Sequence, residues 1–167
     1  KFEQDNYLKV LGKLVARGNA DNPIRFTSIK DTPAKADWGY ILLEGTTLTV
    51  DGNYDYLDGT ILEHCIIEYS NAGIKFRDSA EAHIEECQFS DNNWGISFNH
   101  MANSNIRKSK IFNNQYGLYA EYYLVNYNKV IRGIYYGTNG SYMSGCRIED
   151  NEIYSNTHIP FGDEFWS

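Results

Sequence analysis

The stretch Cys65-Ile66-Ile67-Glu68-Tyr69-Ser70-Asn71-Ala72-Gly73-Ile74-Lys75-Phe76 returns twice further along the chain. It returns first as Cys87-Gln88-Phe89-Ser90-Asp91-Asn92-Asn93-Trp94-Gly95-Ile96-Ser97-Phe98. It returns again as Ser109-Lys110-Ile111-Phe112-Asn113-Asn114-Gln115-Tyr116-Gly117-Leu118-Tyr119-Ala120. Residue type is kept column by column: Ile67, Phe89 and Ile111; Ser70, Asn92 and Asn114; Ile74, Ile96 and Leu118. Leu62, Ile84 and Ile106 supply one more apolar column.

Within each copy apolar residues alternate with polar ones, the period of a strand. The runs are three to five residues long and end at Asn, Ser or Gly, too short and too close for helical crossovers. Short parallel strands at a fixed step of roughly 22 residues stack as a solenoid. The expected fold is therefore all-β, a right-handed parallel β-helix of about seven coils and roughly 22 residues per coil.

Stacking places like residues over like at about 4.8 Å. The Ser70, Asn92 and Asn114 column is expected to form an amide ladder at a bend. Gly73, Gly95 and Gly117 are expected to hold a positive φ. Cys65 and Cys87 share an inward column and are expected to be buried thiols. Ile148, Asn151, Ile153 and Asn156 echo Ile106, Ser109, Ile111 and Asn114 across what reads as two coils, and Val125, Asn128 and Val130 echo the same coil at a shorter step.

Residues 1–167 read as a single domain, with Tyr40-Ile41-Leu42-Leu43 matching Gly73 to Phe76 and a loop insertion bulging near residues 46–58. An open solenoid needs covered ends. The apolar tail from Ile159 to Trp166 is expected to cap the last coil (residues 159–167), whereas residues 1–7 read as too short and polar to cover much.

Net charge is −7 and the pI about 5.0, which disfavours nucleic acid as a partner. No apolar run reaches the length of a membrane span. An odd cysteine count, Cys65, Cys87 and Cys146, argues against a disulfide framework.

Gly12-Lys13-Leu14-Val15-Ala16-Arg17-Gly18, then Pro23-Ile24-Arg25-Phe26-Thr27-Ser28, then Asp37-Trp38-Gly39-Tyr40-Ile41 resembles the opening of bacterial right-handed parallel β-helix repeat proteins of the pectate-lyase-like superfamily. Asn19 and Tyr40 depart from that pattern. The resemblance implies the fold and favours an extracellular or cell-surface location. It does not imply one activity, because the superfamily includes lyases, hydrolases, epimerases, tailspikes and adhesins. The Asp-Asp, Gly-His-Gly and Arg-x-Lys elements of the polygalacturonase set are absent from the sequence, so the expectation leans away from an enzyme.

Three groups carry the functional expectations. Arg77, Asn99 and Glu121 align, as do Asp78, His100 and Tyr122. An Asp78–His100 pair would suit general acid/base catalysis, and a polar ladder between coils is the alternative. Trp94 and Tyr116 precede the repeat glycines and Tyr119 follows them; such rings suit sugar stacking, or packing at a protein interface. Asp51-Gly52-Asn53-Tyr54-Asp55-Tyr56-Leu57-Asp58-Gly59 has alternating oxygen-bearing residues like a calcium loop, but lacks the glycine and glutamate such a loop needs and reads as a loop between coils. No metal or cofactor is expected. The leading expectation is a carbohydrate-recognition β-helix whose partner is a polysaccharide or other glycan. A polysaccharide-acting lyase or hydrolase, and a structural module forming a homo-oligomer through the coils from Tyr116 to Tyr142, are the alternatives.

Overall fold

A computed structural model describes the backbone of residues 1–53, 55–98, 101–102, 104–120, 130–135, 138–139, 143–144 and 147–157. It describes the side chains of residues 1–53, 55–97, 104–118 and 150–157. Among these the secondary structure is all strand, nearly all of it paired in parallel. The strands form three walls. The first contains Val15–Arg17, Ile61–Glu63, His83–Glu85 and Asn105–Arg107. The second contains Ile24–Phe26, Cys65–Glu68, Gln88–Ser90 and Lys110–Phe112. The third is a six-stranded sheet that includes Trp38–Glu44, Ser70–Arg77, Trp94–Phe98 and Tyr116–Ala120.

The repeat columns are the register. Ile74 pairs with Ile96 and Ile96 with Leu118. Ile67 pairs with Phe89 and Phe89 with Ile111. Leu62, Ile84 and Ile106 stack in the first wall. These side chains are almost completely buried and form the core between the walls. The alternation of apolar and polar residues thus fills one continuous interior and leaves most charged side chains outside, with Asp37 and Glu68 buried.

The left-handed residues of two corners are not glycine. His64, Glu86, Lys108 and Asp150 occupy one corner with φ between 48° and 54°. Tyr69, Asp91, Asn113 and Ser155 occupy the next with φ between 53° and 62°. Each of these left-handed residues is strained relative to ordinary backbone by about 1–2 kcal/mol. A hydrogen-bonding ladder immediately after each corner offsets that strain. Asn92 Oδ1 accepts from Ser70 N at 2.8 Å and from Ser70 Oγ at 2.6 Å, and Asn92 Nδ2 donates to Ile67 O at 3.1 Å. Asn114 repeats this towards Asn92 and Phe89, and Asn156 towards Asn114 and Ile111. At the other corner Ser109 Oγ accepts from Cys87 N, and Asn151 Oδ1 accepts from Ser109 N.

Gly73 and Gly95 do not hold the positive φ expected of them. They serve close approach. A Cβ on Gly73 would lie 2.4 Å from Gly95 O, and one on Gly95 would lie 2.5 Å from Gly117 O. The coils touch backbone to backbone there, and only hydrogen fits.

Two further expectations are corrected. Residues 105–112 stack directly on Arg147–Tyr154, with Ile106 paired to Ile148 and Ile111 to Ile153. The 42-residue spacing therefore separates neighbours rather than two coils. Val130–Tyr135 pairs with that same strand instead of with Lys110–Phe112. At the other end Phe2 stacks on Trp38 at 4.3 Å and bridges to Ser28, while the other residues of 1–7 are exposed. Residues 159–167 lie outside the described residues.

Candidate functional site

Leu48–Val50 and Tyr56–Gly59 form an antiparallel hairpin that lies against the outer face of the first wall. Its loop is organised by Asp51, whose Oδ1 accepts from Asn53 N and Asp55 N at 2.8 and 2.9 Å. Asp55 turns to Arg107 at 3.2 Å, and Asp58 to Lys13. The three carboxylates of the calcium-like stretch thus serve separate partners. The Tyr56 ring meets His83 edge-on at 5.8 Å and receives the Arg17 guanidinium at 4.8 Å.

Under this hairpin lies the strongest electrostatic cluster among the described residues. Glu85 accepts from Lys108 Nζ at 2.8 Å and Arg107 Nε at 3.2 Å, and its other oxygen sits 3.1 Å from His83 Nε2. Burial, the largest single influence, pushes the Glu85 carboxyl up; Lys108, His83 and Arg107 together outweigh it and hold the pKa at about 2. Glu85 is therefore a fixed anion that locks charges together, unsuited to proton transfer near neutrality. Arg17 with Glu63, and His64 with Glu86, extend the same surface ladder.

On the third wall the aromatic column runs Tyr40, Ala72, Trp94, Tyr116 in direct register. All three rings are half-buried, and exposed Tyr7 lies against Tyr40 at 5.0 Å. Lys75 reaches the Tyr40 ring at 5.9 Å. Beside the column Asn93 Nδ2 donates to Asn71 Oδ1 at 3.0 Å. Trp94 and Tyr116, singled out from sequence, are therefore neighbours. Tyr7 and Tyr40 join the row although sequence reading passed over them. The match of Tyr40 to the repeat was the available signal. Tyr119 pairs in backbone register with Ser97, and its side chain lies outside the described residues.

Arg77 is the register partner of Glu44, with a 3.5 Å ion pair, and Lys9 reaches Glu44 at 3.0 Å. The two ion pairs form a ladder between coils. Asp78 sits at φ 54° in the turn after Ser70–Arg77. His100, Asn99, Glu121 and Tyr122 lie outside the described residues, so the Asp78–His100 pair does too.

A third feature is a shallow groove at the first corner, lined by His64, Glu86, Cys87, Gln88, Lys108 and Lys110. Cys65 and Cys87 are free and buried. Their thiols interact with each other: the contact with Cys87 pulls the Cys65 thiol down, while burial pushes Cys87 well up.

Residues 17–162 match the NosD family, described as periplasmic copper-binding protein (NosD), and the chain belongs to that family. Family and structure agree on a parallel β-helix type of fold. No curated protein and no solved structure matches the chain. Copper favours soft sulfur and imidazole donors. No cluster of three or more His, Cys, Asp or Glu side chains suited to a metal occurs among the described residues. Cys65 and Cys87 are buried in the hydrophobic core, and burial holds the Cys87 thiol protonated, so the described residues do not form a fitting copper site. No helix among the described residues is long and apolar enough to cross a membrane.

Proposed function

We propose that this protein is a periplasmic β-helix of about seven right-handed coils, related to the pectate-lyase-like superfamily, that binds an extended glycan without cleaving it. The register column Tyr40–Ala72–Trp94–Tyr116 carries the reading. Ring faces fixed on stacked strands are rigid and amphipathic, and sugar rings stack on such faces with little ordering cost. Three coil steps from Tyr40 to Tyr116 span roughly 14 Å, which suits several sugar units of a polymer better than a monosaccharide. Ala72 separates Tyr40 from Trp94 in the column, and the amides of Asn71 and Asn93 stand beside it to meet hydroxyls.

The test is a panel of immobilised bacterial and plant polysaccharides, followed by calorimetry with oligomers of any that bind. The expected result is affinity that rises from disaccharide to hexasaccharide, falls at least about tenfold in Trp94→Ala, and yields no product. Wild-type binding equal to that of a Trp94→Ala, Tyr116→Ala double variant would refute it.

A second reading, copper binding, follows from the family's description alone.

A further inference from the structure

We propose that the glycan held on the aromatic row is anionic, and that Lys75 receives its charged substituent. The inference rests on the glycan reading above and adds the ligand's charge class.

The row stands on a face whose charge opposes that of the whole chain, which is −7. In the third wall the strands Leu8–Val10, Trp38–Glu44, Ser70–Arg77, Trp94–Phe98 and Tyr116–Ala120 carry the cations Lys9, Lys75 and Arg77 against the single anion Glu44. Glu44 is shared by Lys9 at 3.0 Å and Arg77 at 3.5 Å. The Lys75 ammonium has no carboxylate partner among the described residues and faces a ring instead.

Lys75 is also placed to serve the row. It lies on the same strand as Ala72, and its ammonium sits 5.9 Å from the centroid of the Tyr40 ring. The residue is half-buried, so its stem packs against the wall while the charged head stays at the surface. A ring face attracts an ammonium less than a direct charge partner does, so an arriving anion can take the head without moving the stem. At the other end of the row Lys35 donates to Asn113 O, three residues before Tyr116, and a carbonyl leaves its charge uncancelled. Lysine meets an anion as a point charge, without the paired geometry of arginine, so carboxylate, sulfate and phosphate substituents all suit it.

The test uses the whole chain on immobilised polymers of two groups: neutral dextran, laminarin and chitin, and anionic polyglucuronate, dextran sulfate and phosphomannan. The expected result is retention on at least one anionic polymer and on no neutral one, weakened by added salt. Lys75→Gln should bind that polymer at least about tenfold more weakly with its melting temperature unchanged, and Trp94→Ala should weaken binding as well. The retaining polymer tells whether the substituent is carboxylate, sulfate or phosphate. Retention on a neutral polymer, or a Lys75→Gln chain that binds as wild type does, overturns the charge class; the glycan reading then stands if Trp94→Ala still weakens binding. Binding to an anionic polymer that Trp94→Ala leaves intact is adsorption by charge alone. That result overturns the glycan reading and this inference together, as does a chain that none of the polymers retains.

Discussion

Replacing Asn92 with alanine tests whether the amide ladder holds the coils. Asn92 is fully buried and makes four side-chain bonds. Its Oδ1 accepts from Ser70 N and Ser70 Oγ; its Nδ2 donates to Ile67 O and Asn114 Oδ1. After truncation Ser70 Oγ can rotate, and Asn114 Oδ1 keeps the Asn92 backbone N–H at 3.0 Å. Two backbone groups, Ser70 N and Ile67 O, are left buried without those partners. Each such group costs about 1–3 kcal/mol, so the loss should be about 2–6 kcal/mol. For a chain of this size that is a fall in melting temperature of roughly 10 °C. The assay is thermal and urea unfolding followed by circular dichroism, with Asn93→Ala as the comparison. Asn93 makes one part-buried bond to Asn71 and should cost under about 1 kcal/mol. Equal melting of the two variants, or an Asn92→Ala protein as stable as wild type, would refute the ladder as the source of corner stability.

Gly95→Ala should destabilise by about 1–3 kcal/mol or more in the same assay, because its Cβ would meet Gly117 O at 2.5 Å and Ile111 Cγ2 at 2.9 Å. Gly12→Ala, with nothing within 4 Å, should leave unfolding unchanged. Glu85 is held at a pKa of about 2 against an ordinary 4.5. Its contribution is therefore fully present above pH 4.5 and lost as pH falls through about 2. At full weight the depression is worth about 3 kcal/mol, and screening around half-exposed Lys108 reduces this to about 1–2 kcal/mol. The melting difference between wild type and Glu85→Gln should accordingly be largest near neutrality and shrink below pH 4.5; a difference constant from pH 7 to pH 2 would contradict the ion-pair account.

Much of this was legible in the linear text. The columns of Ile67, Phe89 and Ile111, and of Ser70, Asn92 and Asn114, announced their own register because every coil uses the same side chain for the same job. Elsewhere the reading failed. Gly73 looked like a turn residue, yet its column marks contact between backbones, which only the distance to Gly95 O reveals. The left-handed corners fell to Tyr69, Asp91 and Asn113, and no shared residue type flags them. The stretch from Asp51 to Gly59 read as a loop between coils with no assigned partners; the fold hands Asp55 to Arg107 and Asp58 to Lys13.

The chain's own spelling settled the all-strand solenoid, its step and its interior, because a repeated coil buries its apolar face only against another coil. Order along the stack was decided in three dimensions. Arg147–Tyr154 lies next to Asn105–Arg107 and Lys110–Phe112, ahead of the earlier Val130–Tyr135, because strand pairing rewards matching edges whatever their separation in the chain. The meeting of Asp55 with Arg107 and of Tyr56 with His83 arose the same way. Each brings together side chains that hold no common motif and meet only once the hairpin lies on the stacked coils.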